Sequence, residues 1–199
     1  YKNGVYVEAR KHIEKISLSH IDRLTINQRR EVTAYIQTLA DDRKRETPHL
    51  IALNNGIFNL KDNTLHDFTP ETVLTNRYPV TYNPAITEHA AVDSFIRSIT
   101  NNDNELSQVL YEIFGYTLYQ RNFLGKFFIL YGEGGNGKSV LLKMLKAFCG
   151  VENVSSVPLE ELGTTFVNTG LYNKVVNIGD DIDGSSIKLT GHLKKFTTG

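Results

Sequence analysis

The stretch that decides the fold is "YGEGGNGKSVLLKML", residues 131–145. Its segment from Gly132 to Ser139 matches the pattern G-x-x-x-x-G-K-[ST] without a gap. The apolar run "KFFIL" before it predicts a strand over 126–131, and the apolar spacing after it predicts a helix over 138–149. A strand, a glycine-rich loop and a helix in this order are the setting that the motif requires, which disfavours a chance glycine-rich turn.

The residue types in this loop suit a phosphate chain. Glycines permit backbone conformations that turn successive N–H groups inward, and the following helix adds the positive end of its dipole. Lys138 would reach the β- and γ-phosphates, and the Ser139 hydroxyl would bind Mg²⁺. The sequence therefore predicts binding of ATP with Mg²⁺ by Gly132, Glu133, Gly134, Gly135, Asn136, Gly137, Lys138, Ser139 and Val140.

A second acidic site is needed before such a loop can hydrolyse a nucleotide. The stretch "KVVNIGDD" (174–181) predicts another strand, parallel to the first, and Asp180 and Asp181 follow its apolar part. We interpret Asp180 as a Mg²⁺ ligand and Asp181 as the residue nearer the attacking water, so the predicted catalytic residues are Lys138 and Asp181. The alternative is a turn that ends the strand, because Asp and Gly favour turns.

The first 49 residues predict a helical segment and a linker. Thr25 and Gln28 form a capping-box pattern, and apolar residues then recur at helical spacing. These apolar residues form one face of a helix, which we expect to lie in the core: Val32, Tyr35, Ile36 and Leu39. The charged run "DDRKRETP" (41–48) is typical of a solvated linker.

Residues 50–125 predict a small mixed helical and hairpin domain. "GIFNL", the turn "KDNT" and "LHDF" indicate a β-hairpin over 56–68. Two helices follow, at about 89–100 and 103–120, the second capped by Asn102 or Asp103. Its expected buried face carries Leu106, Val109, Leu110, Ile113, Phe114 and Leu118.

Composition limits the classes of protein. The chain has 199 residues with 22 Lys+Arg and 22 Asp+Glu, so any DNA contact must be local. It lacks an apolar run of about 18 residues, which predicts no membrane partner. The single cysteine, Cys149, cannot form an internal disulfide, so a cytoplasmic setting is expected. The six histidines share no metal-ligand spacing, and we interpret them as surface or turn residues.

The distribution of arginine is informative. All nine arginines lie at or before Arg121. Phosphoryl transfer of this class uses an arginine finger, which must come from the N-terminal half, another subunit or sequence outside this chain. Small-molecule P-loop kinases clamp their substrates with arginines after the loop, so that class is disfavoured.

Three blocks carry a resemblance to a known family: "IALNNGIFNLKDNTLHDFTPE" with "YPVTYNPAI", then "EIFGYTLYQRNFLGKFFILYGEGGNGKSVLLKMLKAFCG", then "VVNIGDDIDGSSIKLTGHLKKFTTG". Over about residues 50–199 the chain resembles the phage and plasmid primase-helicase family, which is related to the poxvirus primase-helicase. The resemblance implies an α/β fold in which the mixed domain precedes a truncated P-loop NTPase (AAA+-like) core with a parallel sheet, residues 126–199.

The same resemblance implies function. It suggests a fragment of an ATP-dependent replicative DNA helicase that works as a hexameric ring on single-stranded or forked DNA in the cytoplasm of a bacterial host. The arginine finger would come from the adjacent subunit, and primase or other replication proteins would be partners. The family often has Glu where Asp180 stands, which leaves the choice between Asp180 and Asp181 open.

An alternative is a docking or assembly module with little ATPase activity of its own. The chain opens on Tyr1 and stops at "KKFTTG", which we interpret as a fragment. We expect such a fragment to bind ATP but to hydrolyse it very slowly and to unwind no DNA.

Overall fold

The structure, a computed structural model, describes residues 1–40, 48–162 and 168–179. In this part of the chain the helices are α1 (Arg10–His20), α2 (Ile26–Leu39), α3 (Ala90–Ile99), α4 (Asn104–Leu118), α5 (Lys138–Cys149) and α6 (Asn168–Leu171). The strands are β1 (Leu50–Leu53), β2 (Gly56–Asn59), β3 (Thr64–His66), β4 (Val154–Ser155) and β5 (Val176–Asn177). Short 3-10 turns cover Val151–Asn153 and Leu159–Glu161. The protein is thus mixed α/β with small sheets.

The capping box predicted at Thr25 is confirmed. The Gln28 N–H donates to Thr25 Oγ1 at 3.3 Å, and the Thr25 N–H donates to Gln28 Oε1 at 2.9 Å. These two bonds satisfy otherwise unpaired N–H groups and start α2 at Ile26. Helix α1, which packs against α2, was not predicted, because charged residues interrupt its apolar spacing.

The predicted buried face of α2 is wrong. Tyr35 is 67% exposed, Leu39 66% and Ile36 41%, whereas Thr33 is buried. Within the described residues, α2 packs mainly on α1. Periodicity identified the helix but not the face that is covered.

The predicted hairpin is confirmed as β2 and β3, which pair antiparallel with Phe58 opposite Leu65. Strand β1 adds to the other side of β2, with Ile51 opposite Phe58, through a turn at Asn54 and Asn55 that the sequence interpretation missed. The sheet therefore has the order β1-β2-β3. Its buried residues include Ile51, Leu53 and Phe58, which contribute to the main core.

The two predicted central helices are confirmed as α3 and α4. The Asp103 carboxylate, and not Asn102, caps α4 by accepting from the Leu106 N–H at 3.0 Å. On α4, Leu110 is buried, but Leu106 and Val109 are 47% and 43% exposed. The apolar face of α4 is therefore narrower than the pattern predicts.

Helix α5, predicted over 138–149, has those bounds and joins the two parts of the chain. Its buried residues are Leu141, Leu145 and Cys149. Leu145 and Cys149 pack in one core cluster with Tyr78 of the N-terminal part, and Leu141 packs in a second cluster with Ile96 and Leu110. The hydrophobic core thus extends across the predicted domain boundary at 125/126, and the boundary itself stays a prediction.

Burial raises the pKa of the Cys149 thiol, so this side chain stays protonated at neutral pH.

A buried amide network continues this junction at the end of α5. Asn153 donates through Nδ2 to the Cys149 carbonyl at 2.7 Å and to the Arg77 carbonyl at 2.8 Å. Its Oδ1 accepts from Asn76 Nδ2 at 3.1 Å, and Asn76 also donates to the Asn173 carbonyl at 2.8 Å. Buried amides that satisfy several backbone carbonyls fix the relative position of the segments they join.

The second sheet corrects one prediction. Strands β4 and β5 are parallel, with Val154 opposite Val176 and Ser155 opposite Asn177. The stretch predicted as the parallel partner, 126–131, is not a strand, and Phe127, Phe128 and Ile129 are about half exposed. A strand forms only where a neighbour supplies ladder hydrogen bonds, and no segment among the described residues lies in that position.

We expect Asn153→Ala to lower the free energy of unfolding by about 2 to 4 kcal/mol, because it removes the amide that donates to the Cys149 and Arg77 carbonyls and accepts from Asn76. Urea unfolding followed by circular dichroism measures the change. Asn27→Ala, on the exposed surface of α2, is the control and should stay within about 0.5 kcal/mol. Equal stability of the two variants would contradict the structural role of the network.

Candidate nucleotide-binding site

The glycine-rich loop leads directly into α5. Gly137 precedes the first helical residue, Lys138, and has φ 83° and ψ −2°. The helix starts with the Leu141 N–H donating to the Gly137 carbonyl at 2.9 Å, and no side chain caps its first N–H groups. A helix start of this kind presents N–H donors and a positive dipole end to an anion.

Gly137 is required for two separate reasons. Its positive φ is the left-handed conformation that residues with a Cβ rarely adopt. A Cβ at this position would also lie 2.5 Å from Ile99 Cγ2 and 3.5 Å from Phe95 Cε2. The end of α3 therefore packs directly against the point where the loop becomes helix, a contact that the sequence interpretation missed.

Lys138 folds back over the loop. Its ammonium donates to the Gly132 carbonyl at 2.6 Å, to the Glu133 carbonyl at 2.9 Å and to Asn136 Oδ1 at 2.8 Å. The loop thus surrounds a single cation with three oxygen atoms. This places the positive charge inside the turn, next to the start of α5.

The remaining predicted loop residues lie at the surface. Glu133, Ser139 and Val140 are exposed, so the Ser139 hydroxyl is accessible at the first turn of α5. A Cβ built on Gly134 or Gly135 would meet no atom within 4 Å. The structure therefore brings all the predicted loop residues, from Gly132 to Val140, into one turn and the first residues of a helix.

The two predicted acidic residues, Asp180 and Asp181, lie outside the described residues. The backbone before them is ordered by β4, since the Ile178 N–H donates to the Ser155 carbonyl at 2.9 Å. The Asn177 side chain is tied to Val157, with its Oδ1 accepting from the Val157 N–H at 2.8 Å and its Nδ2 donating to the Val157 carbonyl at 2.9 Å. The roles of Asp180 and Asp181 stay predictions.

No group of three or more histidine, cysteine, aspartate or glutamate side chains that could hold a metal ion is found in residues 1–40, 48–162 and 168–179. Of the predicted Mg²⁺ ligands, only Ser139 is in the described part. A hydroxyl and carboxylates are the oxygen ligands that Mg²⁺ prefers, so the predicted set of Ser139 and Asp180 has suitable chemistry.

The N-terminal part of the chain matches a known protein family. Residues 3–113 match the family described as D5 N terminal like, and this span is more than half of the 199 residues. The chain belongs to the D5 N terminal like family. This membership supports the predicted relation to the primase-helicase proteins of phages and poxviruses. The match begins well before residue 50, where the sequence resemblance was first noted, and so includes α1 and α2.

The second match covers the loop. Residues 130–199 match a family of unknown function, DUF5906. This match includes the glycine-rich motif and both predicted acidic residues, but its description assigns no activity. No curated protein matches the chain.

None of the helices in the described segments combines the length and the apolar character needed to span a membrane.

We expect Gly137→Ala to destabilise the protein by about 2 kcal/mol or more, because the new methyl group meets Ile99 and the backbone is held at positive φ. Gly134→Ala is the matched control, since Gly134 has open space around it and no positive φ. Its stability should change by about 0.5 kcal/mol or less. Urea denaturation of both variants tests this, and a similar loss in both would show that Ile99 does not constrain the loop.

Proposed function

We propose that this chain binds ATP with Mg²⁺ in the loop from Gly132 to Val140, as part of a replicative DNA helicase of the primase-helicase family. The observation that supports this most strongly is the Lys138 ammonium, which lies inside a glycine-rich turn at the start of α5. Membership of the D5 N terminal like family supports the replication context independently of the loop.

Each part of the loop has a distinct task in this proposal. Backbone N–H groups of the turn and the first turn of α5 bind phosphate oxygens, and Lys138 neutralises charge on the β- and γ-phosphates. The Ser139 hydroxyl and the Asp180 carboxylate hold Mg²⁺, which polarises the phosphoryl group when bound. Asp181 accepts a hydrogen bond from the attacking water and orients it.

The absence of arginine after Arg121 shapes the proposed assembly. A neighbouring subunit supplies the arginine finger in a ring, which we propose to be a hexamer. The ring acts on single-stranded or forked DNA in the bacterial cytoplasm, together with primase or other replication proteins.

A second candidate function is a docking or assembly module with little ATPase activity. The observation that favours it is the apolar face of α2, where Tyr35, Ile36 and Leu39 are 67%, 41% and 66% exposed. Large exposed apolar side chains are typical of protein interaction surfaces. ATPase activity measured with and without single-stranded DNA separates the two candidates, because only a motor is stimulated by DNA.

We expect Lys138→Ala to abolish measurable binding of ATP·Mg²⁺, because the variant lacks the cation inside the turn. Isothermal titration calorimetry measures the affinity. Lys143→Ala is the control, since Lys143 is an exposed lysine on the same helix, and its affinity should stay within about twofold. Unchanged affinity in a folded Lys138→Ala variant would refute the nucleotide site.

The proposed roles of Asp180 and Asp181 are tested through the Mg²⁺ dependence of ATP binding. We expect Asp180→Asn to weaken the Mg²⁺ dependence of ATP binding, because a carboxylate ligand becomes a neutral amide. Asp181→Asn should leave ATP·Mg²⁺ affinity within about threefold but lower hydrolysis by about 100-fold or more in any assembly that is active. Titrations at several Mg²⁺ concentrations distinguish the two variants, and the reverse pattern would exchange the two roles.

A further inference from the structure

The position of Asn136 carries an inference about how the loop accepts a phosphate. We propose that the Asn136 side chain competes with phosphate for Lys138, and that it must turn away before a triphosphate can bind there directly. This rests on the proposed function, because it concerns the same loop. In this proposal a residue inside the motif lowers the affinity of the loop for phosphate.

All the donors of the Lys138 ammonium are in use. An ammonium group has three N–H donors. In the structure these meet three acceptors, the carbonyl oxygens of Gly132 and Glu133 and Asn136 Oδ1, at 2.6, 2.9 and 2.8 Å. Any phosphate oxygen that accepts a hydrogen bond from Lys138 must therefore replace one of these partners.

Of the three acceptors, the Asn136 side chain is the one that can move away from Lys138. The Gly132 and Glu133 oxygens belong to the backbone of the turn, so neither can move away from Lys138 while the turn and the lysine keep their positions. The Asn136 amide can move by rotation about its own side-chain bonds, and the residue is exposed, so water can satisfy the amide afterwards. A phosphate oxygen is anionic and makes a stronger hydrogen bond to an ammonium than a neutral amide does.

Gly132 provides the space in which the amide lies. A Cβ at residue 132 would be 2.0 Å from Asn136 Nδ2 and 3.2 Å from its Cγ, while Lys138 Nζ would be 3.6 Å away. The amide thus lies across the turn, beside both the lysine and the glycine. A larger residue at 132 would exclude it from this position.

The consequence is a lower apparent affinity. When only a fraction of molecules has a binding-competent loop, the apparent dissociation constant rises by the inverse of that fraction. Removal of the competing amide should raise the competent fraction. Replacement of the amide by a carboxylate should lower it, because the carboxylate holds Lys138 more strongly and repels phosphate.

The test titrates ADP·Mg²⁺ and, separately, inorganic triphosphate into the 199-residue chain by calorimetry. We expect Asn136→Ala to bind both ligands about three- to tenfold more tightly than the wild type. Asn136→Asp, which keeps the size of the side chain, should bind them at least about threefold more weakly. Asn104→Ala, at an exposed asparagine near the start of α4, is the matched control and should bind as the wild type does.

The outcomes separate this inference from the proposed function. If the wild type binds both ligands, and a folded Asn136→Ala variant binds them equally or more weakly, the competition is refuted while the nucleotide site stands. If neither protein binds either ligand, both proposals fail. Binding by Asn136→Ala alone would support the competition strongly. Asn136→Asp gives an independent reading, since equal or tighter binding by this variant also contradicts the proposal.

Discussion

Burial of one face of α5 is the constraint on which the position of the loop depends. Leu141, Leu145 and Cys149 lie against the sheet and helices that precede them in the chain. A helix is rigid along its axis, so fixing this face also fixes where its first residue lies. The position of the loop before Lys138 is therefore set largely by residues outside the loop, and the contact of Gly137 with Ile99 adds to this packing.

Both ends of α5 are held by contacts with residues distant in sequence. At the start of the helix, Gly137 packs against Ile99. At its end, Asn153 donates a hydrogen bond to the Cys149 carbonyl and accepts one from Asn76. The N-terminal module thus contributes directly to the geometry of the candidate site. This gives a physical reason for a domain of the D5 N terminal like family to stand before the glycine-rich loop.

Local features of the fold were predictable from the sequence, and contacts between distant segments were not. Caps at Thr25 and Asp103 and the bounds of α5 depend on neighbouring residues, so the pattern identifies them. The Asn76–Asn153 bond joins residues 77 positions apart, and no periodicity encodes it. The exposure of Tyr35 could not be predicted for the same reason, since a helical pattern does not reveal which neighbour covers a face.

In the candidate site, too, the sequence predicted local features but not the contacts between side chains and segments. The motif predicted which residues form the turn before α5, because it specifies a run of consecutive positions; their binding of phosphate stays a prediction. It gave no indication that the Asn136 amide contacts Lys138, or that α3 supports Gly137, because motif positions marked "x" carry no conformational information.

The segment 126–131 has a consequence for handling the protein. It forms no strand and has no ladder partner among the described residues, and Phe127, Phe128 and Ile129 expose about half of their surfaces. Short apolar segments with high β-propensity and unpaired backbone groups are templates for pairing between chains. Concentrated solutions of this chain are therefore expected to self-associate through these residues, and charged substitutions at Phe127 or Ile129 should raise its solubility without altering the loop.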